Sequence, residues 1–184
     1  MNLHRTKTDN AHIQSKINLR KMATKDIEKL RILDCFAGEN KLWDSFDKER
    51  YYGIEKIKGK GNNLYADNLR VIKSLDLSQF NVIDLDSYGV PVKQIIELYK
   101  NPTLKRGQTI IVYTCITNKM SALNREVLKQ FNLNKIYKKC KVLMNGHSSQ
   151  LFYGILYSYG VRKVYEYEIR ENTFNKKYGY FKVE

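Results

Sequence analysis

Short apolar runs recur along the chain, and most end abruptly on a glycine or a carboxylate. Arg31-Ile-Leu-Asp-Cys-Phe-Ala-Gly38 reads as a buried strand entering a tight turn, Tyr51-Tyr-Gly-Ile-Glu55 as a second strand, and Asn63–Asp67 as a weaker third. Phe80-Asn-Val-Ile-Asp-Leu-Asp86 is a fourth, strongly apolar and then acidic, and Thr109-Ile-Ile-Val-Tyr-Thr114 is a fifth, preceded by a turn at Arg106-Gly107. Helical spacing fills the gaps. A helix begins at Asn40–Phe46, Pro91 suits the first turn of a helix over Val92–Lys100, and Ala122–Phe131 and Ser149–Tyr159 are helical. Ile13, Ile17, Leu19, Met22, Ile27 and Leu30 give residues 9–30 one or two amphipathic helices. Near the C-terminus, Lys163–Arg170 and Tyr178–Val183 alternate apolar and polar residues about a turn at Glu171–Lys177, the pattern of an antiparallel hairpin.

Strands alternating with helices predict an α/β fold, a Rossmann-like and mostly parallel sheet covered on both faces and closed by the hairpin. A ligand is then expected at the carboxyl ends of the strands, beside the first. Residues 1–30 read as a basic helical extension and 31–184 as the ligand-binding domain. The 184 residues suffice for one such domain, and no run of apolar residues is long enough to span a bilayer. Cys35, Cys115 and Cys140 lie far apart without zinc-ligand spacing, and the polar start is not a signal peptide. The expectation is a cytoplasmic protein with reduced thiols and no metal.

Charge adds a partner. The net charge is +14, and its distribution is uneven: eight Lys/Arg face three Asp/Glu over residues 1–31, and ten face four over residues 135–184. Two basic ends flanking a nearly balanced centre suit a phosphate backbone, so nucleic acid is the expected partner; a lysine-rich solvated surface is the bland alternative.

The strand ends carry the candidate chemistry. Gly38 lets the backbone turn close to a ligand, while Asn40 and Trp43 occupy the second and third glycine positions of a dinucleotide fingerprint and argue against NAD. Glu55, about twenty residues beyond the glycine turn, has the spacing of a carboxylate that accepts from both ribose hydroxyls of an adenosine ligand, against the alternative of a surface pair with Lys56 or Lys58. Asp67 either accepts from an adenine amino group or forms a simple Asp-Asn turn. In Asp84-Leu-Asp-Ser-Tyr-Gly-Val-Pro91 two acids end a buried strand, whereas a helix cap needs one. A carboxylate beside an aromatic suits a planar substrate bearing an amino group, with Tyr88 stacking on its ring.

The order of these motifs resembles the class I S-adenosylmethionine (SAM)-dependent methyltransferases, over roughly residues 30–184. Asp86-Ser-Tyr-Gly89 is similar to the Asp/Asn-Pro-Pro-Tyr/Phe tetrad of amino-group methyltransferases, and with Asp84-Leu85 looks closest to the Asp-Leu-Asp-Pro-Tyr/Phe-Gly of the tRNA guanine-N2 type. Two positions depart: Ser87 stands for proline and Asn40 for the second glycine. The resemblance implies SAM as cofactor, held among Asp34, Phe36, Gly38, Glu55, Lys56, Asp67, Asn68 and Asp84. It implies methyl transfer to an exocyclic amino group of an RNA or DNA base, with Asp86 and Tyr88 holding the base. Ser87, Gly89 and His147 are candidate substrate contacts, and Arg5, Lys7, Arg20 and Lys21 candidate phosphate contacts. The competing expectation is a nucleic-acid- or protein-binding module on the same scaffold that has lost catalysis, such as a regulator carried by a mobile element.

Overall fold

A computed structural model describes residues 12–59, 61, 63–118, 128, 132–140, 148–170 and 174–184. Its elements are α1 (Ile13–Thr24), β1 (Leu30–Asp34), β2 (Lys48–Glu55), β3 (Leu64–Tyr65), α2 (Asn68–Ser74), a short 3-10 turn (Leu77–Gln79), β4 (Val82–Leu85), α3 (Val92–Lys100), β5 (Ile110–Asn118), α4 (Asn134–Lys139), α5 (Ser148–Ser158), β6 (Tyr165–Arg170) and β7 (Phe174–Lys182). The helix expected over Ala122–Phe131 lies outside the described residues.

The seven strands form one sheet in the order β3-β2-β1-β4-β5-β7-β6. β1 through β5 run parallel, and β7 enters antiparallel between β5 and β6. The chain reverses direction across the sheet between β1 and β4, so their carboxyl ends frame the switch-point crevice where α/β sheets hold ligands.

Alternation along the strands sends each residue set to one face. Leu33, Ile83, Leu85, Ile111, Tyr113 and Cys115 pack against α2, α3 and α5 in the larger core. α3 joins it through Val92, Ile95, Ile96 and Tyr99, the three-and-four spacing of one buried stripe. Asn101 ties α2 to α3 by donating its side-chain amide to the carbonyls of Ile72 and Leu75. On the opposite face Ile32, Val82, Val112 and Tyr178 pack against Leu19 and Ala23 of α1 and against Trp43. The basic N-terminal helix therefore belongs to the packed body of the protein.

The helix expected over Asn40–Phe46 does not form. Asn40 sits in the left-handed region at φ 66°, and the segment advances by turns, Asn40 N–H donating to Ala37, Trp43 to Asn40 and Phe46 to Trp43. This path leaves Trp43 fully buried in the core that α1 covers. The hairpin is also longer than expected, because β7 begins at Phe174 instead of Tyr178.

Candidate functional site

The turn after β1 is held on both sides. Cys35 N–H donates to the carbonyl of Asp84 on β4, and Ala37 N–H donates to Ile54 on β2. Gly38, at φ 53°, takes a conformation that side chains resist, and a Cβ there would meet nothing nearer than the Phe36 carbonyl at 3.9 Å. Glu55 straddles two loops: its Oε2 accepts from Gly38 N–H at 3.1 Å and its Oε1 from Ile57 N–H at 3.0 Å. Asn63 donates to the Gly38 carbonyl, and Asn68 to that of Cys35, each at 3.0 Å. Gly53 is required beneath them, since a Cβ there would come to 2.1 Å from Asn63 Oδ1. Asp67 caps α2, its Oδ1 accepting from the N–H groups of Leu69 and Arg70. Phe36 packs at the margin of the larger core, and Lys56 is exposed.

Beside this loop cluster lies a buried charge network. Asp34 accepts from Phe36 N–H at 3.1 Å and from the Tyr51 hydroxyl at 2.9 Å. Burial, reinforced by the nearby Asp84 charge and opposed by Arg20, pushes the Asp34 carboxyl up to about 8. Asp84, fully buried, receives Arg20 Nε at 2.7 Å, Arg20 Nη2 at 2.9 Å and Trp43 Nε1 at 2.7 Å. Burial moves Asp84 upward against the pull of Arg20. Burial also works to discharge Arg20, but Asp84, Asp86 and Asp34 outweigh it and raise the guanidinium further.

Asp86 is held differently. Lys16 Nζ donates to Oδ1 at 2.9 Å and to Oδ2 at 2.8 Å, and the Thr114 hydroxyl donates to Oδ1. Burial raises this carboxyl, but Arg20, Lys16 and the hydrogen bonds together bring it below the usual aspartate range. The Ser87 hydroxyl is buried and turned inward on the carbonyls of Thr114 and Gly89 at 3.1 and 3.2 Å. Gly89 fastens the loop to β5 by accepting from Ile116 N–H. Tyr88, by contrast, is 79% exposed beside Asp86.

The sequence-derived set thus separates. Asp34, Gly38, Glu55, Asp67 and Asn68 gather around the ends of β1, β2 and β3, and Asp86, Ser87, Tyr88 and Gly89 follow β4. Arg20, expected among the phosphate contacts, is instead 1% exposed with its donors spent on Asp84 and on the Lys16 carbonyl. Asp84, expected at the cofactor, is its buried partner. Lys21 is exposed on α1. Arg5, Lys7 and His147 lie outside the described residues. Lys16, Trp43, Tyr51 and Thr114 are partners of the acids that no sequence motif marks. One signal was present: Lys16 and Arg20 are four apart on a helix, about 6 Å of rise, matching the two-residue step of about 6.6 Å from Asp86 to Asp84. Among the described residues no group of three His, Cys, Asp or Glu side chains could hold a metal ion.

No protein-family model and no curated protein matches the sequence. Solved structures do match. The N-methyltransferase NodS from Bradyrhizobium japonicum superposes with a TM-score of 0.57 at 10% identity, covering 95% of this chain and 98% of that one. The plantazolicin methyltransferase BamL, solved with a triazolic desmethylPZN analog and SAH, gives 0.54 at 11% identity, covering 98% of this chain and 87% of its own. The chain shares the seven-stranded α/β fold of these two methyltransferases. At such identities the likeness carries the strand order and layering alone. Within that fold, the loop cluster around Gly38 and Glu55 and the acid-aromatic loop after β4 sit together at the switch point of the sheet.

Proposed function

We propose that this protein is a SAM-dependent methyltransferase that modifies an exocyclic amino group of a base in RNA or DNA. The observation that carries the reading is Asp86, a carboxylate held in its charged form at the end of β4 and followed by the exposed ring of Tyr88. SAM, when bound, supplies an electrophilic methyl group on a sulfonium. The residues around the first turn suit its adenosine half. Gly38 carries no side chain to hinder close approach, and Glu55, half-buried with each oxygen accepting one backbone N–H, keeps lone pairs for ribose hydroxyls. Asp67, with Oδ1 on its helix, offers Oδ2 to an amino group.

Asp86 accepts the hydrogens of the target amino group and fixes its nitrogen lone pair, while Tyr88 stacks on the base. Orientation then supplies much of the rate. The base has to be single-stranded or flipped out, because the amino nitrogen is otherwise stacked within a duplex. The +14 net charge supports a polyanionic partner. A second reading, a nucleic-acid-binding module without transfer, is favoured by one observation: Lys16 already occupies Asp86.

Transfer of labelled methyl groups from SAM to mixed single-stranded RNA and DNA tests the two. Wild-type protein should label one of them, and Asp86→Asn should lose roughly a hundredfold of that rate, the scale of misorientation. Tyr88→Ala should weaken binding by the 1–3 kcal/mol of one stacking contact, leaving stability unchanged. Undiminished transfer by Asp86→Asn would remove the assigned role, and tight binding without any labelled product would establish the module.

A further inference from the structure

Lys16 and Arg20 grip the two acids after β4 in one register, and the two contacts differ in kind. Arg20–Asp84 is sealed, at 1% and 0% side-chain exposure. Lys16–Asp86 lies at the opening of the site, at 15% and 12%, next to the exposed Tyr88. A carboxylate offers about four acceptor positions. In Asp86 Lys16 fills two and Thr114 a third. An incoming amino group that donates both hydrogens therefore cannot seat while Lys16 stays.

We propose that Lys16 is a resident occupant of the acceptor position: its ammonium holds Asp86 in the free protein and exchanges with a substrate amino group. This rests on the amino-group reading above and adds a residue that controls access to Asp86. Arg20 stays on Asp84 and keeps α1 docked during the exchange, so only the Lys16 side chain has to move. The Tyr178 ring already lies 5.5 Å from Lys16 Nζ while the cation rests on Asp86. The acid that Lys16 vacates favours bases with an amino group. Adenine replaces both donated hydrogen bonds, whereas thymine brings one N–H flanked by carbonyls that the carboxylate repels. Lys16 thus lowers affinity for every ligand that must reach Asp86, in proportion to the fraction of time it occupies the acid.

Short single-stranded oligo(dA) and oligo(dT) are the probes, because only the first carries an exocyclic amino group. In the Lys16→Met protein the ratio of oligo(dA) to oligo(dT) affinity, read by fluorescence anisotropy, should rise about tenfold over wild type. Loss of a phosphate-facing cation would instead weaken both oligonucleotides alike and leave the ratio unchanged, which would overturn the proposal. A second readout needs no substitution. In wild-type protein, acetylation of Lys16 by an N-hydroxysuccinimide ester, mapped by peptide mass, should accelerate severalfold with saturating oligo(dA) and not with oligo(dT). Equal protection in both would also overturn it. If neither oligonucleotide binds wild-type protein, the nucleic-acid reading itself falls, and the exchange falls with it.

Discussion

Replacing Arg20 with methionine tests how the N-terminal helix is fastened to the sheet. The guanidinium makes two hydrogen bonds to Asp84 at 2.7 and 2.9 Å, and both side chains are shut away from solvent. Methionine fills much of the volume, so the loss is chiefly electrostatic: among the described residues Asp84 keeps only Trp43 as a side-chain donor. Breaking a buried pair by removing one partner costs about 3–5 kcal/mol, because the remaining charge is buried without its counterion. For a chain of this size that corresponds to a fall in Tm of roughly 6–20 °C. The cost should depend on pH. Burial already raises Asp84 above its ordinary value, and loss of Arg20 raises it further. Such a group's contribution is present below its unfolded value and lost as pH rises, so the variant's deficit should be smaller at pH 5 than at pH 8. Urea unfolding at both pH values, followed by far-ultraviolet circular dichroism and by fluorescence of Trp43, the single tryptophan, measures this directly. Adding Asp84→Asn removes the stranded charge and should recover more than half of the loss. A deficit under about 1 kcal/mol, the worth of an exposed pair, or a double variant no better than the single one would refute the reasoning.

Two further outcomes follow from the loops beside that network. Asp34, whose carboxyl is raised to about 8, favours the folded state most below the unfolded aspartate value of about 4 and loses that contribution as pH climbs through 8. Asp34→Asn, which can still accept from Phe36 N–H, should therefore flatten the stability profile between pH 5 and pH 8 in the same urea assay; an unchanged slope would contradict it. Gly53→Ala drives a Cβ against Asn63 and to 3.0 Å from the Ala37 Cβ, so it should cost about 1–3 kcal/mol and weaken ligand binding at the Gly38 turn together with stability.

Strand positions were legible because each is written locally. β1, β4 and β5 are apolar runs closed by acids or polar residues, and parallel strands buried on both faces read that way. The acids at their ends were legible as a cluster for the same reason, since topology brings consecutive strand ends together. What each acid touches was not. Asp84 and Asp86 look equivalent in sequence, yet their partners lie 64 and 70 residues away on α1. Only packing of that helix against Val82 and Val112 makes one acid internal and leaves the other at the opening. Asp67 had two readings, and its side chain caps α2. That helix is seven residues long, too short to declare itself by periodicity. The turn path at Asn40 was hidden by good helix spacing, which burial of Trp43 overrides.

Titration of S-adenosylhomocysteine by calorimetry, with NAD and a Glu55→Ala variant as controls, asks whether the Gly38 turn holds the cofactor. Wild-type protein should bind it saturably at micromolar concentration and ignore NAD, and affinity should fall at least about tenfold when Glu55 no longer holds the ribose. If wild-type protein ignores S-adenosylhomocysteine, or the Glu55→Ala variant binds it equally well, the turn after β1 is not a SAM site.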